Sequence, residues 1–241
     1  MKTILKAFLP PRLRNVLRHK YQQYLAWRGD YSQAGETIEI RKLLHRRRGE
    51  KGFFVELGAN DGVTVSSTFG LVKDGWSGIA VEANPAVYAR LKKNLMKFPQ
   101  VKTICLAVAP KRGPIKLYFG KNDPSGLLST ISNDDSAWFK EHRSEDFVEV
   151  QGIPLTDLLE EQRVPKAPDL LLIDTEGMDY DILLTLDFEK FRPKLIVTED
   201  YQPKNDAKFQ LLKQAGYIFR KRVGCNTFWL NAELNHLHQN R

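Results

Sequence analysis

The chain has 241 residues, of which 42% are hydrophobic and 27% charged, and its mean hydropathy is −0.41. This balance is typical of a soluble globular protein with one large core or two small ones, and it excludes a disordered or collagen-like chain. No apolar run is long enough to span a membrane, and Lys6 and Pro10 interrupt the apolar start before it can form a signal-peptide core. The two cysteines lack metal-binding spacing and favour a reducing compartment, so we expect a cytoplasmic protein.

The formal net charge of +8 is concentrated at the start of the chain. Residues 1–50 contain 12 lysines and arginines against 4 acidic residues, whereas residues 51–241 contain 25 of each kind. A basic segment on a neutral body favours contact with phosphates or anionic lipid over wrapping of nucleic acid. Residues 11–28 have the pattern of a basic amphipathic helix, and we hypothesise that residues 1–30 contact an anionic membrane surface. A solvated helix packed on the body is the alternative.

Two parts of the chain differ in pattern. Residues 1–50 predict a basic, mainly helical segment, and residues 51–241 predict an α/β domain, because short β-branched runs there alternate with segments of helical period. The clearest helix covers residues 86–97, with Pro85 in its first turn. The predicted strands cover residues 53–57, 78–82, 101–108, 169–174 and 194–199.

The second half of the domain departs twice from this alternation. Residues 110–155 are interrupted by proline and glycine and predict an irregular insertion that overhangs a site. Residues 217–223 and 227–230 flank a Gly-Cys-Asn turn and predict an antiparallel hairpin at the end of the domain.

An acidic residue and a turn bracketed by glycines end the first predicted strand, Glu56-Leu-Gly58-Ala-Asn60-Asp61-Gly62. Open α/β sheets bind their ligands at this edge. Glu82 ends the second strand, where a carboxylate accepts hydrogen bonds from both hydroxyls of a ribose. Asp61 would repel a pyrophosphate but attract the sulfonium and ammonium of S-adenosylmethionine, so the pattern favours this methyl donor over a dinucleotide. Helix capping by Asn60 and Asp61 is the structural alternative.

Five segments in order carry a more specific pattern: Tyr31-Ser-Gln-Ala-Gly-Glu36, Phe54-Val-Glu-Leu-Gly-Ala-Asn-Asp-Gly62, Trp76-Ser-Gly-Ile-Ala-Val-Glu-Ala-Asn-Pro85, Leu172-Ile-Asp-Thr-Glu-Gly-Met-Asp-Tyr-Asp-Ile-Leu183 and Phe191-Arg-Pro-Lys-Leu-Ile-Val-Thr-Glu199. Together they resemble the FkbM family of S-adenosylmethionine-dependent methyltransferases over about residues 31–200. The resemblance implies a Rossmann-like class I methyltransferase, an α/β fold with an open, mostly parallel seven-stranded sheet that ends in the predicted hairpin. It also implies methylation of a hydroxyl on a sugar, a glycan or a related natural product.

The resemblance further implies which residues bind S-adenosylmethionine. It places Glu56, Gly58 and Asn60 around the methionine moiety. Asp61, in the same turn, is a candidate cofactor residue on the electrostatic argument above. It places Glu82 on the ribose, with Asn84 and Ala107 near the adenine. For Ala107 a role in the core alone is an equally open interpretation.

A second group of acidic residues follows the fourth and fifth predicted strands. Convergent carboxylates need a proton, a cation or solvent. The spacing of Asp174 and Glu199-Asp200 is similar to that of the magnesium ligands in catechol and sugar O-methyltransferases, so Asp174, Glu199 and Asp200 are candidate ligands of Mg²⁺. Helix capping and solvated surface acids are the alternative.

Methyl transfer to a hydroxyl needs a group that accepts its proton. The candidate bases are Asp174 and Glu176, with His142 of the insertion as the second choice and a plain surface role as its alternative. The predicted acceptor is a sugar or glycan, free or lipid-linked. One rival is an inactive adenosyl-binding module on glycan machinery or membrane. The other is a nucleic-acid methyltransferase, which the Asp174-Thr-Glu-Gly177 turn and the acidic site disfavour.

Overall fold

The computed structural model of the chain describes residues 11–121, 123, 129–131, 141–200 and 206–234. Its helices are α1 (Pro11–Trp27), α2 (Glu36–Leu43), α3 (Phe69–Lys73), α4 (Pro85–Leu95), α5 (Leu155–Glu161), α6 (Asp179–Leu183) and α7 (Asp206–Gln214). Its strands are β1 (Phe53–Leu57), β2 (Ser77–Glu82), β3 (Val101–Cys105), β4 (Ala107–Val108), β5 (Gly113–Gly120), β6 (Arg143–Ile153), β7 (Leu170–Ile173), β8 (Leu195–Glu199), β9 (Tyr217–Val223) and β10 (Asn226–Asn231).

A seven-stranded sheet, in the order β3-β2-β1-β7-β8-β10-β9, confirms the predicted fold. The strand β10 is antiparallel to both neighbours, and the other pairings between adjacent strands are parallel. The chain moves outward from β1 in one direction through β2 and β3, and in the other through β7 and β8. The carboxyl ends of β1 and β7 therefore meet where the strand order reverses, which is where open α/β sheets bind ligands.

The central strands are apolar except near their carboxyl ends, as is typical of a parallel sheet whose two faces are both covered. All of β7 and β8 and all but the first residue of β1 are buried. Successive side chains point to opposite faces. Val55 and Leu171 belong to one core cluster, whereas Phe54 and Leu172 belong to the other. The sheet is thus anchored on both sides, and this holds its carboxyl edge in place.

The strands predicted at 53–57, 78–82, 169–174 and 194–199 and the helix predicted at 86–97 are confirmed within two residues. The strand predicted at 101–108 is divided in two at Leu106. Its first part, β3, pairs with β2 in the large sheet. Its second part, β4, pairs with β6 in a separate three-stranded sheet, in the order β4-β6-β5. The chain therefore leaves the large sheet at Leu106.

The prediction that residues 110–155 are irregular is wrong for much of that segment. The antiparallel strands β5 and β6 occupy its two ends, and Leu117 and Val150 form a small core with Ala107. Gly113 and Pro114 suggested a loop, but they begin β5 at the edge of its sheet, where a proline is tolerated because its missing amide removes no internal bond.

The described part of the N-terminal segment contains α1 and α2 and packs on the body. Arg41 of α2 forms a buried ion pair with Asp74 (2.7 Å) and donates to the carbonyl groups of Gly29 and Gly70 (3.1 Å each). Removal of either partner would leave a buried charge uncompensated, so this pair requires α2 to stay in place. Residues 1–10 lie outside the described part. No helix of the described chain is long and apolar enough to cross a membrane.

The first testable consequence concerns Gly58, which follows β1 with a left-handed φ of +80°. A Cβ there would lie 1.7 Å from the carbonyl oxygen of Asp174, whereas a Cβ on Gly49, with φ +83°, meets nothing within 4 Å. Gly49→Ala should cost about 1 kcal/mol of unfolding free energy, because only the backbone conformation is penalised. Gly58→Ala should cost at least about 3 kcal/mol, because the two strand ends must also separate. Urea denaturation measures both, and equal losses would contradict the close approach.

Candidate active site at the carboxyl edge of the sheet

A cleft opens at the carboxyl ends of β1, β2 and β7, beneath the small sheet. Its space, counted out to open solvent, is about 670 Å³. Four predicted cofactor residues line it, as do two of the predicted bases. These six are Gly58, Asn60, Glu82, Ala107, Asp174 and Glu176. Leu117, Ser129, Thr130 and Ile131 of the insertion line the cleft as well, so the insertion borders the site as expected.

Glu82 is held between the loops that follow β1 and β2. The backbone amide of Asn60 donates to one carboxylate oxygen (2.9 Å) and the amide of Asn84 to the other (2.7 Å). Burial raises the pKa of Glu82, and these amide bonds oppose the shift. Because each carboxylate oxygen has a second lone pair, Glu82 keeps an acceptor site on each oxygen after both bonds are made. This arrangement suits a vicinal diol.

Asn60 and Asp61 form the turn itself. Asn60 has a left-handed φ of +48°, a conformation that asparagine tolerates better than most residues. Asp61 accepts the amides of Val63 (2.9 Å) and Thr64 (2.7 Å) and the hydroxyl of Thr64 (2.7 Å). Burial would raise the pKa of Asp61, but these bonds outweigh it and lower the pKa. Asp61 thus stabilises the turn and does not line the cleft, and a direct contact with the cofactor stays a prediction.

Asn84 and Ala107 have structural roles beside the predicted ones. Asn84 caps α4 by accepting the amide of Ala86 (3.0 Å), and its side-chain amide donates to Ser129 (3.2 Å), which lines the cleft. Ala107 is a core residue and also part of the cleft wall. The two interpretations of Ala107 are therefore compatible, and Asn84 acts on the cleft through Ser129.

Glu56 lies behind the turn and is only 4% exposed. Burial raises the pKa of Glu56 to about 8, a hydrogen bond from the Thr68 hydroxyl (2.7 Å) opposes this, and the charges of Asp174 and Glu82 add to it. At neutral pH the carboxyl is therefore mostly protonated. A cation brought into the cleft would favour the ionised form.

Three carboxylates converge beside the cleft. Each of Asp174, Glu176 and Glu199 contributes one carboxylate oxygen, and these three oxygens lie within 4.8 Å of one another. Burial, followed by repulsion from Glu199 and Asp179, raises the pKa of Asp174 well above its ordinary value. Burial and the charge of Asp174 raise the pKa of Glu176 to about 8. The backbone φ of Glu176 is +51°, and its buried Oε2 has no hydrogen-bond partner among the described residues.

Buried residues that the sequence analysis did not single out surround this cluster. Asp179 accepts the amide and hydroxyl of Thr175 (3.1 and 2.8 Å) and the amide of Glu199 (2.8 Å). Lys208 of α7 is 3% exposed, donates to the Glu199 carbonyl, and its charge lowers the pKa of Asp179 against the effect of burial. Glu36 of α2 adds to the repulsion that raises the pKa of Asp174.

Cys225, in the turn between β9 and β10, lies beside the same carboxylates. Burial and the charges of Glu199 and Asp174 raise the pKa of its thiol to about 12, so it stays protonated at neutral pH. Asp179 could have been found from the sequence, because it lies in the Leu172–Leu183 segment that resembles the family. Lys208 carried no signal, because lysines are almost never fully buried. The sequence placed Cys225 in a turn but did not show that this turn lies beside the acids.

Two predicted site residues lie elsewhere. The prediction that Asp200 belongs to the acidic cluster is not supported by its contacts, because its carboxylate pairs with Arg222 (2.8 Å) and Glu176 takes its place in the cluster. His142 precedes β6, its carbonyl oxygen accepts the amide of Lys121 (2.7 Å), and it is not among the residues that line the cleft. Its role as a base stays a prediction without support from the geometry.

Comparisons with known proteins bear on the identity of this fold. The family model described as the methyltransferase FkbM domain matches residues 56–219. Among solved structures, a methyltransferase FkbM from Methylobacillus flagellatus is 12% identical with a TM-score of 0.49, and the match covers 75% of this chain and 43% of that chain. Fibrillarin from Aeropyrum pernix, solved with natively bound S-adenosyl-L-methionine, is 9% identical with a TM-score of 0.44, over 80% of this chain and 74% of that one.

Precorrin-6y C5,15-methyltransferase from Geobacter metallireducens is 14% identical with a TM-score of 0.43, and the match covers 82% of this chain and 86% of that chain. A search of the curated proteins finds no match. The family model spans more than half of the chain and includes the turn after β1, Glu82 and the acidic cluster. The chain therefore belongs to the FkbM family of S-adenosylmethionine-dependent methyltransferases.

Proposed function

We propose that the cleft binds S-adenosylmethionine with its ribose on Glu82 and its charged methionine end toward Glu56 and Asp174. The observation that carries this proposal is the carboxylate of Glu82, which is held by two backbone amides and still has acceptor sites on both oxygens. Ala107, Leu117 and Ile131 supply an apolar wall for the adenine on the side of the small sheet.

The buried acids explain why a cationic cofactor is favoured. Glu56, Asp174 and Glu176 all have raised pKa values because burial and mutual repulsion disfavour their ionised forms. A sulfonium and an ammonium placed among them would supply the missing positive charge, and Coulomb attraction is strong in such a dehydrated site. A pyrophosphate would instead add to the repulsion.

We propose O-methyl transfer as the reaction. An acceptor hydroxyl in line with the sulfonium attacks the methyl carbon, the carbon–sulfur bond breaks, and neutral S-adenosylhomocysteine leaves. The proton of the hydroxyl passes to a carboxylate. Glu176 fits this role best, because it lines the cleft, its Oε2 is free of hydrogen bonds to described residues, and a pKa of about 8 lies near the working pH. Asp174 is the alternative acceptor of the proton.

For the acceptor we propose a hydroxyl of a sugar or glycan, free or lipid-linked, reached in the cytoplasm. The hydroxyl groups of Ser129, Thr130 and Thr175 border the cleft near Glu176 and suit a polyol. An aromatic amine or a nucleobase would find few stacking partners among the described lining residues, which include no aromatic side chain.

Mg²⁺ is a second candidate partner of Asp174, Glu176 and Glu199. Their donor atoms are all oxygen, which such a hard cation prefers, and the three are close enough to share one ion. When bound, the cation would lower the pKa of the acceptor hydroxyl. The same carboxylate oxygen of Glu176 cannot both accept the proton and bind the metal ion. A chelator therefore distinguishes the two roles.

Substitution of Glu82 tests the cofactor site. Glu82→Ala should weaken S-adenosylmethionine binding at least tenfold, about 1.4 kcal/mol, because two ribose hydroxyls lose their acceptor. Isothermal titration calorimetry measures the change, thermal unfolding checks that the turn persists, and Glu149→Gln, an exposed acid on β6, is the matched control. Undiminished binding to Glu82→Ala would refute the proposed orientation.

Proton release tests the role of the buried acids. Since the pKa of Glu56 is about 8, its carboxyl is mostly protonated in the free protein at pH 7. A bound cation lowers that pKa, so binding of S-adenosylmethionine should release protons, and the release should fade above about pH 9. Titrations at pH 7 in two buffers of different ionisation enthalpy count the protons. Glu56→Gln should release fewer than the wild type, and proton uptake would contradict the electrostatic argument.

The pH profile tests the proton acceptor. If Glu176 acts as the base, methyl transfer rises with pH as its carboxyl ionises, with a midpoint near the pKa of about 8. Glu176→Gln should lower kcat about 100-fold or more and remove that step, with little change in cofactor affinity. The assay follows labelled methyl transfer to monosaccharides, nucleotide sugars and extracted glycolipids.

Controls separate the alternatives in the same assay. His142→Gln should retain activity, and a large loss would move the role of base to the insertion. Abolition of turnover by EDTA, with restoration by Mg²⁺, would favour the metal. Cofactor binding without transfer to any acceptor class would favour an inactive adenosyl-binding module.

A further inference from the structure

The helix α1 carries an exposed apolar row. Leu17, Tyr21, Tyr24 and Trp27 are 48%, 45%, 47% and 74% exposed. Because they are three or four residues apart, they lie on neighbouring turns of one side of the helix. The rings of Tyr21 and Tyr24 are 6.5 Å apart and those of Tyr24 and Trp27 6.3 Å apart, so the row is continuous. We call these four residues the aromatic row.

The row is bordered by positive charge. The sequence of α1 contains four lysines and arginines and no acidic residue, and Arg28 follows it. The guanidinium of Arg28 donates to the Tyr24 hydroxyl (2.9 Å), and Arg48 donates to the Trp27 carbonyl (3.3 Å). Residues 51–241 carry no net charge, so the excess of +8 resides in the segment that contains the row.

The side of α1 that adjoins the row is packed on the body. Leu25 is 1% exposed, the Gln22 amide donates to the carbonyl of Gln33 (2.9 Å), and the hydroxyl of Tyr21, at the edge of the row, donates to the carbonyl of Ala34 (3.0 Å). These contacts hold the helix in place and leave the four residues of the row 45–74% exposed.

We propose that the aromatic row binds the surface of an anionic lipid bilayer, with α1 lying in the interfacial plane. Tyrosine and tryptophan side chains are amphipathic and suit the level of the lipid headgroups, and the leucine adds apolar contact. The exposed Lys20 and Arg28 and the positive net charge of the segment complement acidic headgroups. A polyanionic nucleic acid is a weaker partner, because residues 51–241 carry no net charge and the acidic cluster would repel it.

This orientation has a consequence for the active site, which rests on the proposed function. The Tyr21 hydroxyl and Leu25 approach Gly35, which precedes α2, and a Cβ on Gly35 would lie 3.5 and 3.6 Å from them. The next residue, Glu36, acts electrostatically on Asp174. Gly35 and Glu36 thus connect α1 to the acidic cluster, and a lipid-linked acceptor would be presented at the bilayer to which α1 binds.

Co-sedimentation of the full chain with vesicles tests the proposal. We expect binding to vesicles of phosphatidylcholine mixed with phosphatidylglycerol, a decline with added salt, and little binding to phosphatidylcholine alone. Tyr24→Ser with Trp27→Ser should reduce the bound fraction at least fivefold. The matched control is Met96→Ser with Phe147→Ser, which removes two exposed apolar side chains elsewhere and should leave binding unchanged.

Fluorescence locates the contact. The chain contains four tryptophans, so the measurement uses Trp138→Phe as the parent protein. In it, brominated lipids should quench Trp27, which is 74% exposed, and Trp27→Phe should remove that quenching, because Trp76 and Trp229 are fully buried. Vesicle binding that persists in the double variant, or equal binding to neutral vesicles, would overturn the proposal. A double variant that loses oligonucleotide binding instead would assign the row to nucleic acid. S-adenosylmethionine binding should be unchanged in the double variant, so failure here is distinct from failure of the cofactor site.

Discussion

The burial of several like charges at one edge of the sheet is the constraint on which the site depends. Parallel strands bring their carboxyl ends together, and in this chain β2 and β8 end in a glutamate, β7 ends just before Asp174, and Glu56 is the last residue but one of β1. Burial keeps some of these groups protonated, and backbone amides or the buried Lys208 hold others. The buried acids at this edge therefore need additional positive charge in order to ionise, and a cationic ligand supplies it. Affinity for a sulfonium cofactor follows from the fold and the acids together.

Much of the architecture was predictable because it depends on local patterns. Val87, Leu91 and Leu95 repeat at helical spacing after Pro85, and the apolar runs of β1, β7 and β8 need two covering layers. The strands β5 and β6 were missed because their pairing is between segments 23 or more residues apart, and local glycine and proline signals pointed to a loop. Secondary structure that depends on distant pairing leaves a weaker trace in the sequence than a helix does.

The part of the site that lies directly at the strand ends could be predicted from the sequence. Glu82 and the turn at Gly58 follow from the ends of adjacent strands, and the structure brings them to one cleft. The spacing of the acidic residues in the sequence could not decide whether Glu176 or Asp200 joins Asp174 and Glu199, since both follow a strand. It is decided by Arg222, a residue of β9 that reaches Asp200, and by the left-handed backbone at Glu176. Side-chain partners contributed by another strand cannot be assigned from order along the chain.

The break at Leu106 divides the cleft between two structures of different kinds. The large sheet supplies the amides and carboxylates around Glu82 and Asp174, whereas the described part of the opposite wall consists of Ala107 and Val108 of β4, Leu117 of β5 and residues 129–131. The small sheet shares no strand with the large one, so a side chain on β4 or β5 can change without moving a strand end of the large sheet. The two walls of the cleft are therefore structurally independent, and one can be redesigned while the other keeps its geometry.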